Sequence, residues 1–290
     1  MTIFSPDCDG WAKALQEVKT ADLFYSQRFA RVFPDSKLFF IKFKEEGFGI
    51  FPFLIQGGSL CSFRYGGILF NRKYSGSGVA VNKALKDFCK SRGLRCVVIR
   101  RHPFIPVFTQ GQIIKKEPFV FIDLGRGIRM IKKGISHGHL ACIKKSQQAG
   151  LRVHYSTNAA YFKLFFEFYK SLMLKKTGIP ADLHYFRRFY SCLKDDLTFA
   201  VVKEKDNVVA VSMMLKDKKN VFLAYGGMSN AGYERFAKHF MIYRLISDLK
   251  HEGFEKLILG TGHEPYDPIY RFKRGFVDKD NFILTYEKKY

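Results

Sequence analysis

The chain has 290 residues, 47% of them apolar, with 31 Phe and 15 Tyr against a single Trp, which is room for two ordinary domains and too apolar for a disordered protein. Lys and Arg number 49 against 26 Asp and Glu, a formal charge of +23, so polyanionic partners are expected, with a merely solubilising surface as the alternative. The start, Met1 to Asp9, lacks the basic and apolar stretches of a signal peptide, no apolar run approaches the roughly 20 residues of a membrane span, and six scattered cysteines without a C-x-x-C pair predict reduced thiols in a cytoplasmic protein with no metal site.

In chain order, Leu38 to Phe43 and Gly49 to Ile55 read as a hairpin around Glu45-Glu46-Gly47. A Gly/Ser loop at Ser75 to Gly78 precedes a helix over Val79 to Arg92, where Val81, Leu85 and Phe88 recur at helical period and Gly93 supplies the stop. Cys96 to Ile99 and Phe119 to Ile122 read as short buried strands, the second opening after Pro118 and closing at Asp123-Leu124-Gly125. No acid lies between Asp87 and Glu117 or between Asp123 and Glu167, and the second stretch holds a partly helical, basic segment that Gly150 ends.

After an extended Leu151 to Tyr155 come helices over Asn158 to Lys176 and Leu183 to Leu193. Strands follow at Leu197 to Val202, Val208 to Leu215 and Val221 to Tyr225, with turns at Lys205-Asp206-Asn207 and Asp217 to Asn220. Phe236 to Glu252 is an amphipathic helix bearing Phe240, Tyr243, Leu245, Ile246 and Leu249, and Lys256 to Leu259 is a strand. The first half contains a related succession, without a visible residue-level repeat.

Three segments, Phe222-Leu223-Ala224-Tyr225-Gly226-Gly227-Met228-Ser229, Leu257-Ile258-Leu259-Gly260-Thr261-Gly262 and Tyr270-Arg271-Phe272-Lys273-Arg274-Gly275-Phe276, resemble in order and spacing the C-terminal half of the FemABX aminoacyltransferases. Tyr65-Gly66-Gly67, Phe121 to Leu124 and Ile143 to Val153 resemble that family's N-terminal glycine turn, interdomain strand and basic helix. The likeness spans most of the chain, and Phe-Lys-x-Gly-Phe, Phe272 to Phe276, is its most specific element. It implies an α/β (α+β) fold of two tandem acetyltransferase-like (GNAT-like) domains with mixed central sheets, here 1–125 and 126–290, the second including the basic linking helix. It also implies transfer of an aminoacyl or other acyl group onto an amine, on a cell-wall or nucleotide-sugar-linked precursor. The donor would be aminoacyl-tRNA or acyl-CoA, with no further cofactor, and the acceptor an anionic, amine-bearing molecule. The basic stretches allow contact with the inner membrane surface, and no stable protein partner is implied. The coiled-coil arm of some members has no counterpart in the heptad pattern.

Amine attack on an activated carbonyl builds negative charge on the carbonyl oxygen, which calls for a fixed cation or donors. By resemblance Lys273 serves there with Phe272 packed beside it, and Arg271 and Arg274 help to bind the donor; a surface lysine in an apolar i, i+4 strip is the alternative. Tyr225 ends a strand before two glycines and is an expected acceptor contact, or else a core tyrosine beside a bulge. Arg64 and Tyr65 are further acceptor-binding candidates, against a plain turn, and Lys176 lies where relatives place acceptor-binding arginines. Glu264 and Asp267 are the carboxylates available as a base, if they are not simply loop acids.

Two other functions compete. An acyl-CoA-dependent N-acetyltransferase needs a glycine-rich pyrophosphate cradle ahead of a helix, and Asn230-Ala231-Gly232-Tyr233-Glu234-Arg235 supplies one glycine and an acid. A non-enzymatic RNA-binding protein would use the basic stretches and aromatics, without a recognisable RNA-binding motif.

Overall fold

The computed structural model describes residues 2–20, 22–42, 47–71, 77–177, 179 and 182–290, with only the backbone at 77, 176 and 177. The chain forms two compact units, Met1–Glu117 with Phe282–Tyr290, and Pro118–Asn281.

The first unit contains β1 (Thr2–Phe4), α1 (Asp9–Val18), a 3-10 turn at Leu23–Tyr25, α2 (Gln27–Arg31), β2 (Lys37–Lys42), β3 (Phe48–Gln56), β4 (Ser59–Ser62), β5 (Leu69–Phe70), α3 (Ser77–Ser91), β6 (Cys96–Arg100) and the start of β7 (Gln112–Asp123). β1, β2, β3 and β4 pair antiparallel in that order, and β5 pairs with β3. β2 and β3 form the expected antiparallel pair, with the predicted turn residues Glu45 and Glu46 outside the described residues. β4 and β6 are parallel, joined across the sheet by α3. That helix buries Val81, Leu85 and Phe88 among Phe39, Phe53, Val97 and Ile99. Each such side chain contributes about 1.5–3 kcal/mol on burial, which fixes the helix face that the period in the sequence marks.

β7 is longer than expected, because the polar run Gln112 to Glu117 is already strand. Pro118 lies within it rather than before it. Its ladder with the later strand Lys256–Gly260 takes in this strand only from Val120 onward, so the missing proline N–H takes no part in that ladder.

The second unit adds α4 (Ile128–Lys133), α5 (His137–Gln148), β8 (Leu151–Ser156), α6 (Ala160–Thr177), α7 (Leu183–Leu193), β9 (Leu197–Glu204), β10 (Asn207–Lys216), β11 (Asn220–Met228), α8 (Asn230–Glu234), α9 (Ala237–His251), β12 (Lys256–Gly260) and α10 (Pro268–Arg274). Its sheet runs β7-β12-β11-β10-β9-β8. All neighbours are antiparallel except β11 and β12, which are parallel and bridged by α9. Strand alternation sends Ala210 and Met214 into a core with Ile143 of α5 and Met241, Leu245 and Leu249 of α9. The opposite face carries α6 and α7, whose Tyr161 and Tyr190 meet Phe199 of β9.

The predicted basic helical segment is two helices. Gly134 caps α4, and Ser136 starts α5 by accepting from His139 N. β13 (Asn281–Lys289) then returns to the first unit and pairs antiparallel with β6, Thr285 opposite Arg100. The expected junction at 125/126 therefore differs from the division at Glu117/Pro118, and residues 282–290 rejoin the first unit because their ladder partner lies there. Among the described residues no helix is long and apolar enough to cross a membrane.

Candidate active site

β11 and β12 pair only over Asn220–Phe222 and Lys256–Ile258. Beyond that point each meets an irregularity against its outer neighbour. The register with β10 skips Ala224, between Met213 opposite Tyr225 and Met214 opposite Leu223. The register with β7 skips Leu259, between Ile258 opposite Phe121 and Gly260 opposite Val120. Bulges bend a strand and raise its twist. The two central strands thus part after Phe222 and Ile258 and cease to be ladder partners, which opens a cleft edged by peptide groups able to receive an extended ligand.

Two lysines reach this cleft from different helices. Lys273 on α10 donates Nζ to the Thr261 carbonyl at 2.7 Å, just past the end of β12. Lys238, in the first turn of α9, donates Nζ to Ser212 Oγ. Ser212 is fully buried on β10, opposite Gly226 of β11. A Cβ on Gly226 would overlap both the Lys238 amine and the Ser212 hydroxyl, so the absence of a side chain there admits the lysine. Burial, and then the neighbouring Lys273 cation, pull Lys238 down to about 7.

Phe272 helps to hold α10 in place. Its carbonyl pairs with His139 Nε2 at 2.7 Å, and its ring stands edge-on to His239 with centroids 4.9 Å apart. His139 in turn meets His239 and Phe276, each at 4.6 Å. A Cβ on Gly275 would run into the His139 ring, with Nδ1 at 2.7 Å. The phenylalanines and glycine of the Phe-Lys-x-Gly-Phe segment thus lock α10 against α5 and α9, and its lysine faces the cleft. Burial lowers both histidines: His239 falls to about 4, helped by His139, and in His139 burial outweighs the opposing pull of the Phe272 carbonyl. Both rings pack among aromatic side chains.

The other expected site residues fall into different roles. Asp267 is the N-cap of α10: Oδ1 accepts from Tyr270 N at 2.7 Å and Oδ2 from His263 N at 2.8 Å. Burial pushes this carboxyl up, but the backbone donors outweigh it and hold it below its usual range. A carboxylate so engaged is a poor base. Glu264 is exposed in the preceding loop. Arg274 is committed to Asp280 and the Val277 carbonyl, bracing the turn after α10, and exposed Arg271 donates to the Tyr266 carbonyl at 3.1 Å.

Tyr225 follows Ala224 on β11 and lies opposite Met213, on the sheet face away from Lys238. There it packs against Phe186 and Phe189, with its hydroxyl 3.0 Å from that of Tyr185. Arg64 and Tyr65 belong to the first unit, where Tyr65 is a core residue against Phe24 with Arg64 and Arg100 over its ring. Lys176 is in the last turn of α6, its side chain outside the described residues.

Residues 140–268 match the family model of the acetyltransferase (GNAT) domain. That stretch holds the parted strands, Ser212 and Lys238, and stops short of Lys273. Among solved structures, the chain is similar to FemX, with a TM-score of 0.67 at 12% identity over 99% of this chain and 97% of that one. It is also similar to L-PGS from Bacillus licheniformis, with a TM-score of 0.59 at 12% identity over 98% and 91% of the two chains. A tandem GNAT protein of the clavulanic acid biosynthesis pathway gives 0.59 at 10% identity over 99% and 97%. A search of curated proteins finds no significant match. The α/β, tandem GNAT-like fold expected from the sequence is the fold found; at these identities the structural likeness speaks to the fold alone.

Proposed function

We propose that the chain is an N-acyltransferase that moves an aminoacyl or related acyl group from an activated donor to an amine on an anionic acceptor, on the cytoplasmic side of the cell. The observation that carries this reading is the parting of β11 from β12 with the Lys273 ammonium at its mouth. An acyl chain laid between the strands would bring its carbonyl to the side where Lys273 reaches Thr261. There the cation would stabilise the oxyanion as the amine adds, the C–N bond forms, and the ester or thioester bond breaks with its electron pair on the leaving group.

The matched acetyltransferase domain also favours an acyl-CoA donor. Against it, the segment before α9 is not an open glycine loop. It forms α8, capped by Ser229 Oγ on Gly232 N, and Gly232 is pressed onto the Val209 carbonyl, which leaves no ready cradle for a pyrophosphate. Aminoacyl-tRNA is therefore the preferred donor, and the exposed Arg129, Lys133, Lys144, Lys145 and Arg152 offer phosphate contacts.

The test is titration of the protein with alanyl-tRNA, uncharged tRNA and acetyl-CoA at near-physiological salt, followed by transfer to a panel of primary amines. Selective, salt-resistant binding of the charged tRNA with amide product supports the reading, whereas acetyl-CoA binding alone with acetylated product moves it to a CoA-dependent acetyltransferase. Lys273→Met should lower kcat by about 10²–10³-fold, the cost of removing one oxyanion donor, with the melting temperature little changed. A variant that retains the full rate removes Lys273 from the mechanism.

A further inference from the structure

We propose that Lys238 is the general base of the reaction, taking the proton from the acceptor ammonium so that the free amine can attack; this inference rests on the acyl-transfer reading above. An amine nucleophile arrives protonated at neutral pH and cannot attack until it loses that proton. The carboxylates that the sequence offers for the task are unsuited, since Asp267 is spent on three backbone N–H groups and Glu264 is exposed in a loop.

Lys238 has the required surroundings. Its amine is seated between Ser212 and the bare backbone of Gly226, on the edge of the cleft. Among the described residues no carboxylate pairs with it. Of the charged or titratable groups on elements packed against α9, Glu204 of β9 pairs with Arg235 and Tyr155 of β8 with Asp248. His139 of α5 is engaged with the Phe272 carbonyl, Lys256 of β12 pairs with Glu255, and Glu234 of α8 is exposed. The charge that acts on Lys238 is that of Lys273, and it is repulsive. A desolvated lysine beside a second cation is a recognised way to keep an amine neutral at physiological pH.

The step balances without a co-reactant. The Lys238 lone pair takes a proton from R–NH3+, giving R–NH2 and a Lys238 ammonium, while one Lys238 N–H stays on Ser212 Oγ. The electron pair of R–NH2 forms the C–N bond, and the acyl–oxygen or acyl–sulfur bond breaks toward the donor. The departing donor oxygen or sulfur takes up the second amine proton, and Lys238 returns its own proton to solvent.

Two measurements on the full chain test this. With the lysine ε-carbons labelled with carbon-13, a pH titration by NMR should show one resonance with a midpoint near 7. That resonance should vanish in Lys238→Arg and move upward in Lys273→Met. A Lys238 midpoint near the ordinary 10.5 overturns the proposal. In the transfer assay, from alanyl-tRNA or acetyl-CoA to primary amines, the rate should rise through a pH near 7. Lys238→Arg and Lys238→Met should lose about 10²–10⁴-fold together with that inflection, and an acceptor of low basicity, such as hydroxylamine, should recover most of the loss. A Lys238→Arg enzyme that keeps wild-type rate and pH profile overturns the base alone. No transfer by the wild-type chain from either donor overturns the acyl-transfer reading and the base with it, whatever the NMR midpoint.

Discussion

Replacing Gly275 by alanine isolates the packing that aims α10 at the cleft. The glycine sits at the C-cap of that helix with φ −62°, a conformation any residue adopts, so backbone strain is not at issue. Propensity alone makes alanine neutral to favourable there. The obstacle is the His139 ring, which a new Cβ would overlap while that ring is held by the Phe272 carbonyl and by His239 and Phe276. Overpacking of this kind costs about 1–3 kcal/mol, which in a protein of this size lowers Tm by roughly 2–5 °C. His139→Ala alone should also destabilise, by about 1–3 kcal/mol, through the lost hydrogen bond and packing. The double variant relieves the overlap, so its loss should be smaller than the sum of the two by about 1 kcal/mol or more. Urea denaturation of the four proteins measures the cycle. A Gly275→Ala protein as stable as wild type, or additive losses, would refute the close approach as the reason for glycine.

Three other outcomes follow from the same unit. Because His239 falls to about 4 in the fold from an ordinary 6.5, the unfolded chain binds more protons in between; stability is full above pH 6.5 and is lost as pH drops toward 4, and His239→Phe should flatten the Tm profile across that window. Lys238 behaves with the same sign higher up. Its charged form is penalised in the fold, so Lys238→Met should raise Tm at pH 6 to 7, with the gain shrinking as pH rises toward 10.5; a variant that melts lower than wild type at pH 6.5 would contradict the burial cost. Tyr155→Phe removes the 2.6 Å bond to Asp248, whose carboxylate keeps Arg244, and should cost about 1.5 kcal/mol in chemical denaturation.

What the sequence determined by itself is mostly local. The helix of Val81, Leu85 and Phe88, the stops at Gly93 and Gly150, and the antiparallel strands around Lys205 and Asp217 follow from periodicity and turn chemistry, because those signals act over a few residues. Lys273 could be singled out because Phe-Lys-x-Gly-Phe is contiguous in the chain. Its neighbours in space are not contiguous: Ser212 comes from the middle of β10, Gly226 from the later part of β11, Thr261 from just past β12 and Lys238 from the start of α9, and Lys238 is one lysine among many in a basic chain. Only the packing of α9 and α10 against β10, β11 and the end of β12 gathers them and buries one amine. The tertiary structure also gives three sequence candidates places that local sequence signals do not specify. Asp267 became a helix cap, Tyr225 turned to the opposite sheet face from Lys238, and Tyr65 entered a core, because strand alternation and capping geometry depend on which partner each segment finds. The return of β13 to the first unit has the same cause, since a ladder is specified by its partner strand and not by its own residues.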